Sequence, residues 1–155
     1  MSVTYSKLDG RHLLESWIRL VALTAGQPGR DWTAVCIGRA RKGEQTRQRL
    51  LGPPESAGDV LRDLVAMYDA GRRAPIPLPL KTSYAWAEAD HHRGTPMREA
   101  GWKWKTGRFP GEDADPAHVR VWGPHFPLEA LVSAGLPDFS SRLWLPMLQA
   151  ERNVH

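Results

Sequence analysis

The chain has 155 residues, 41% of them hydrophobic, a formal net charge of +4 and one cysteine, so it is long enough to bury a core without a disulfide framework. No apolar run approaches the roughly 20 residues that span a bilayer, and the first residues lack the basic-then-apolar order of a secretory signal. The expected setting is therefore soluble and cytoplasmic, with Cys36 a buried thiol in a strand, acting as a small hydrophobe.

Residues 7 to 25 place Leu13, Leu14, Trp17, Ile18, Val21 and Ala25 on one face of a helix, which Gly26 and Pro28 stop. Residues 31 to 38 form a short run rich in β-formers, read as a strand buried on both faces. A turn through Lys42, Gly43 and Glu44 leads to a partner strand at 45 to 51, giving an antiparallel hairpin. Gly52, Pro53 and Pro54 end the hairpin. Ser56 and Asp59 then resemble a capping pair for a helix with Val60, Leu61, Leu64, Val65 and Tyr68 on its apolar stripe, closed by Gly71 as a left-handed residue.

Prolines 75, 77 and 79 hold residues 74 to 79 extended, because each fixes its own φ and displaces its predecessor from the helical region. Thr82 or Ser83 is the expected cap of a short helix through Trp86, followed by a polar loop at 87 to 94 that carries His91 and His92. Thr95 and Pro96 start another helix through Met97, Ala100, Trp102 and Trp104. After a loop with Gly107, Pro110 and Gly111, the stretch from Asp115 to Trp122 reads as a short helix, with a strand left open by the alternation at Val119 and Val121. Helical patterns at 127 to 134 and 138 to 151 complete the chain.

Catalytic chemistry finds little support along this order. His91 and His92 are adjacent, so in a regular element they point apart, and no cysteine or carboxylate stands at a metal-ligand spacing from them. The stretch from Gly107 to Gly111 lacks the Gly-Lys-Ser/Thr ending of a phosphate-binding loop. The remaining group is Glu112, Asp113, Asp115 and His118, with His125 further on, whose use in catalysis requires the fold to bring them together.

Two basic clusters are candidates for contact with a phosphate backbone. Arg39, Arg41, Lys42, Arg47 and Arg49 surround the hairpin turn, and Lys103, Lys105 and Arg108 interleave with Trp102 and Trp104, a mixture suited to stacking on exposed bases. The competing reading of both is a solvated charged face. Sixteen arginines against five lysines favour phosphate geometry, and seven tryptophans exceed what a core of this size needs, so some are expected to face a partner.

The segment Leu8-Asp9-Gly10-Arg11-His12-Leu13-Leu14-Glu15-Ser16-Trp17, together with Tyr68-Asp69-Ala70-Gly71-Arg72-Arg73 and the proline run Pro75 through Trp86, closely resembles the C-terminal domain of the exodeoxyribonuclease V gamma chain, RecC. The tail from Glu112 to Trp122 and from Phe139 to Glu151 fits the same family. The resemblance implies an α/β (α+β) domain whose helix, β-hairpin and helix core is like that of the PD-(D/E)XK nucleases, with additional C-terminal helices. It implies a single domain over 1–155, with a core at about 7–89 and a helical extension at about 95–151.

Such nucleases hold a divalent metal with an Asp on the first hairpin strand and an Asp/Glu-x-Lys on the second. Here the first strand reads Ala34-Val35-Cys36-Ile37 and the second ends Leu50-Leu51-Gly52-Pro53, while Lys81-Thr82 is preceded by Pro79 two residues before the lysine. The resemblance thus implies a noncatalytic scaffold and DNA-handling domain of a RecBCD-type helicase-nuclease in double-strand break repair. Its expected partners are RecB-like and RecD-like subunits and DNA, with no membrane. No cofactor is expected in this chain; ATP and Mg serve other subunits of the resembled complex. The alternatives are a pure protein-interaction module, or an enzyme using Glu112, Asp113, Asp115 and His118.

Overall fold

The computed structural model describes residues 2–39 and 46–152. Among them the chain forms a mixed α and β structure in two compact units, the first comprising the chain up to Met67 together with that from Pro146 onward, the second Tyr68–Leu145. The division at 67/68 falls within the expected core, and the chain crosses it inside two helices, α2 and α7, whose ranges are given below.

The first unit is built on a four-stranded sheet in the order β1-β2-β3-β4, made of Ser2–Lys7, Ala34–Arg39, Arg47–Leu51 and Glu151–Arg152. Helix α1, Gly10–Gly26, joins the parallel neighbours β1 and β2. It starts at Gly10 rather than residue 7 because Asp9 caps it, its side chain accepting the His12 N–H at 3.2 Å and lying 2.7 Å from His12 Nδ1. Leu13, Trp17, Leu20 and Val21 are its buried residues of largest apolar bulk, each at 3% exposure or less. Burial of side chains like these is worth roughly 1.5–3 kcal/mol each, so this face anchors the unit.

The expected hairpin is present, with β2 antiparallel to β3 and Cys36 opposite Arg49. Cys36 is buried, whereas Val35 and Ile37 on the other face are only half-buried, so the strand is not buried on both faces. Two strands were not expected. β1 is short and largely polar in sequence, and β4 has two residues that exist as a strand only through pairing with Leu50 and Leu51. Gly38 on β2 has a steric reason: a Cβ there would stand 2.9 Å from the Ser6 carbonyl oxygen and 2.7 Å from Leu8 Cγ. The close passage of the chain leaving β1 requires the missing side chain.

Helix α2, Ala57–Arg73, runs past Gly71, which keeps an ordinary helical backbone, and the Ala74 N–H still donates to the Ala70 carbonyl at 3.0 Å. Pro75 is what ends it, since the residue before a proline is driven out of the helical region. The stretch up to Pro79 is neither helix nor strand, but it is not extended throughout as expected: it bends at Ala74 and at Pro77, where the Leu78 N–H donates to the Ile76 carbonyl at 2.8 Å.

In the second unit α3, Leu80–His91, packs along α4, Pro96–Trp104, across a tight turn in which Arg93 takes a left-handed φ of 56°. Helix α3 starts at Leu80, two residues before the first expected cap, and takes in residues 87–91 of the stretch expected to be a polar loop, leaving 92–94 as turn. A 3-10 turn at Glu112–Ala114 precedes α5, Pro116–Trp122, which resolves the helix-or-strand alternative in favour of helix. The last helices are α6, Leu128–Ser133, and α7, Leu136–Gln149, separated by Gly135 at φ 109°. Ala100, Trp104, Leu128, Leu131 and Leu136 form the core of this unit, with Trp86, Trp122 and Phe126 packed around it.

Candidate functional site

The N-terminus of α3 carries the most unusual polar arrangement of the second unit. Its cap residue is Pro79, which has no side-chain acceptor to offer the first amides of the helix. Glu112 supplies it from 30 residues away. Its Oε1 accepts the Lys81 N–H at 2.9 Å, and its Oε2 accepts both the Thr82 N–H and the Thr82 hydroxyl at 2.7 Å. Glu112 is 8% exposed and Thr82 fully buried, so a carboxylate is held inside the protein at the positive end of a helix. Lys81 and Thr82 thus use their backbone to bind a carboxylate of this same chain.

The other members of that acidic group are occupied as well. Asp113 accepts from Thr106 Oγ1 at 2.5 Å, and Asp115 caps α5 by accepting the Ala117 N–H at 2.9 Å. His118 Nδ1 lies 2.8 Å from the Glu112 carbonyl oxygen, and its ring packs with those of Trp104 and Trp122 at 5.7 and 5.3 Å between centroids, the two indoles themselves lying 6.1 Å apart. The four residues gather in one region, each turned to a separate structural partner. His125 takes a left-handed φ of 56° in the segment between α5 and α6. His91 ends α3 and His92 caps it, so their rings do not point apart; they lie 5.0 Å centroid to centroid and both residues are exposed. Among the described residues no three His, Cys, Asp or Glu side chains assemble as a metal site.

The hairpin positions that would carry metal-holding carboxylates hold Ala34, Val35, Cys36 and Ile37 on one strand and Leu50 and Leu51 on the other. The nearest acidic side chain in the ladder is Glu151, opposite Leu51 on β4, and it is ion-paired with Arg49. The donor set does not fit a divalent metal at this place.

The hairpin cluster is only partly available for contact. Arg39 is exposed at the end of β2, and Arg41 and Lys42 lie outside the described residues. Arg47 and Arg49 alternate with Gln48 and so share one face of β3 with Leu51, where both are half-buried. Arg49 is committed to Glu151.

The second cluster divides differently. Lys103, Lys105 and Arg108 are exposed, and Trp102 is 68% exposed with the Arg98 guanidinium 5.3 Å from its ring centroid. Trp104, expected beside it on the surface, is 1% exposed, and its Nε1 donates to the Phe126 carbonyl at 2.7 Å. Residues two apart on a helix point to opposite sides, so one of these rings had to turn inward. Two contributors were missed: Arg98, which the four-residue spacing to Trp102 signals, and Phe109, 75% exposed beneath the Arg108 guanidinium at 5.8 Å.

A family model described as the RecC C-terminal domain matches residues 1–91. The chain is 56% identical, over an alignment 166 positions long, to the RecBCD enzyme subunit RecC of Mycolicibacterium smegmatis, covering 99% of this chain and 15% of that protein. It is 50% identical, over an alignment 167 positions long, to the RecBCD enzyme subunit RecC of Mycobacterium tuberculosis, with the same coverage of 99% and 15%. The chain thus spans about 15% of the length of these curated relatives. No described helix is long and apolar enough to cross a membrane.

Proposed function

The chain belongs to the RecC C-terminal domain family, and from that premise we propose that it is a noncatalytic scaffold and DNA-handling domain of a RecBCD-type helicase-nuclease. The observation that carries this reading is the similarity to RecC subunits, which covers 99% of the chain. In this reading it docks RecB-like and RecD-like subunits in the cytoplasm and serves double-strand break repair by homologous recombination, while ATP and Mg act elsewhere in the assembly.

The noncatalytic part rests on the hairpin. A PD-(D/E)XK-like core activates water through metal held by strand carboxylates, and apolar residues stand at those places here. Glu112, the best-placed carboxylate for any other chemistry, has both oxygens engaged by α3, which favours a scaffold over an enzyme. Arg39 in the first unit and Lys103, Lys105 and Arg108 in the second supply basic surface for phosphates, with Trp102 near the second group.

The test is co-purification of the chain with the other two subunits, paired with a nuclease assay on linear DNA in Mg or Mn. The expected result is capture by the assembly and no cleavage by the chain alone. Metal-dependent cleavage that disappears in Glu112→Gln or Asp113→Asn overturns the reading.

A further inference from the structure

The loop that leaves α4 holds an aromatic ring in water on a fixed backbone. Residues 105–110 are all exposed, yet they are tied at several points. Thr106 Oγ1 donates to Asp113 and accepts the Gly111 N–H at 3.0 Å, and the Gly107 N–H donates to the Phe109 carbonyl at 3.1 Å. Gly111 lies so close to the end of α4 that a Cβ there would stand 2.2 Å from the Trp104 carbonyl oxygen. Within this frame Phe109 stays 75% exposed, forgoing the burial that a phenyl ring ordinarily gains. In the last turn of α4, Trp102 is 68% exposed. Each ring has an arginine over it, Arg98 at Trp102 and Arg108 at Phe109.

The charge around these rings is one-sided. Glu99 pairs with Arg98, Asp113 is bonded to Thr106, Asp115 caps α5 and Glu112 caps α3, so the acids of this segment are engaged internally. Lys103, Lys105 and Arg108 remain exposed beside two rings. Exposed aromatics beside cations match the chemistry of unpaired bases joined by phosphates, whereas a duplex keeps its base faces stacked inside.

We infer that Trp102 and Phe109, each with its arginine, are stacking platforms for the bases of a single-stranded nucleic acid whose phosphates meet Lys103, Lys105 and Arg108. The inference rests on the DNA-handling reading and narrows it to single strands and to these two rings. Stacking and charge then leave different signatures: the rings add affinity that salt does not change, whereas the cations add affinity that salt weakens.

The 155-residue chain is titrated with a labelled oligothymidylate and with a duplex of equal length at several salt concentrations. Tighter binding of the single strand is expected. Trp102→Ala and Phe109→Ala each weaken it by about tenfold while leaving the slope of log K against log salt unchanged, since neither ring carries charge. Lys105→Ala with Arg108→Ala lowers that slope by about 1.4, roughly 0.7 for each single-strand phosphate left without its cation. Trp102→Phe and Phe109→Tyr, which keep a ring at each position, retain most of the affinity and guard against a misfolded alanine variant. Salt-dependent binding that is indifferent to both rings overturns the inference and leaves the DNA-handling reading standing. Absence of salt-dependent binding to either nucleic acid removes both. If the ring variants lose capture by the other subunits with unchanged DNA affinity, the face belongs to a protein and the inference fails.

Discussion

The β3 edge of the hairpin and the α4 end of the second unit carry similar residues and put them to opposite use. On β3 the two-residue alternation turns Arg47 and Arg49 to the face that also buries Leu51, and Glu151 neutralises Arg49. At α4 and the loop beyond it, Lys103, Lys105 and Arg108 stay in water, and the local acids are bonded elsewhere. A positive run in a sequence is therefore not yet a positive surface. The secondary structure beneath it decides whether each cation is anchored or displayed.

The comparison is broken most severely through Gly111. In Gly111→Ala the new methyl meets the Trp104 carbonyl oxygen and the Lys105 backbone, neither of which is a flexible side-chain end. A loss of roughly 3 kcal/mol is expected, read as a lower midpoint in urea unfolding, together with faster hydrogen exchange at residues 105–111. An unchanged midpoint would mean that the loop is not seated on α4 as described.

Glu112→Ala comes next. It leaves the Lys81 N–H, the Thr82 N–H and the buried Thr82 hydroxyl without their acceptor, at a cost of about 2–3 kcal/mol. Glu112→Gln keeps an acceptor and is expected to cost less than the alanine change. Equal losses in the two variants would show that side-chain volume, not hydrogen bonding, is what matters at this position.

Arg49→Ala should cost about 1 kcal/mol, because the pair is only partly withdrawn from water, at 24% and 19% exposure for its two side chains. The matching change in the displayed cluster, Lys105→Ala, should leave stability within about 0.5 kcal/mol. Thermal melts of the two variants side by side sharpen the contrast, and equal destabilisation would erase it.

Much of the fold was legible because its signals are local. The helix of α1, the break at the proline run before α3 and the Thr95-Pro96 helix start each depend on residues a few positions apart, and each appears in place, although the buried stripe of α1 takes in Leu20 and leaves Ile18 41% exposed. What was missed depends on distant partners. β1 and β4 become strands only by lying beside β2 and β3, and the first amides of α3 find their acceptor 30 residues on. A clue to that acceptor did exist, since a helix whose cap is proline must find its oxygen elsewhere. The candidate surface was half legible: Lys103, Lys105 and Arg108 are exposed as read, whereas the inward turn of Trp104 followed from helix geometry that the pairing with Trp102 ignored. The exposure of Phe109 depends on the ties around Thr106, which composition does not reveal.

The Glu112 cap also bears on the order in which this unit comes into being. As the chain emerges from the ribosome, α3 is complete by His91, yet its first turn still lacks an acceptor for Lys81 and Thr82. Only after about 20 further residues have followed does the carboxylate arrive, and with it the closure of a long loop whose entropy must be met at that moment. The cap of α3 can thus be set only once the 3-10 turn at Glu112 has emerged, with α4 contained in the loop that this contact closes.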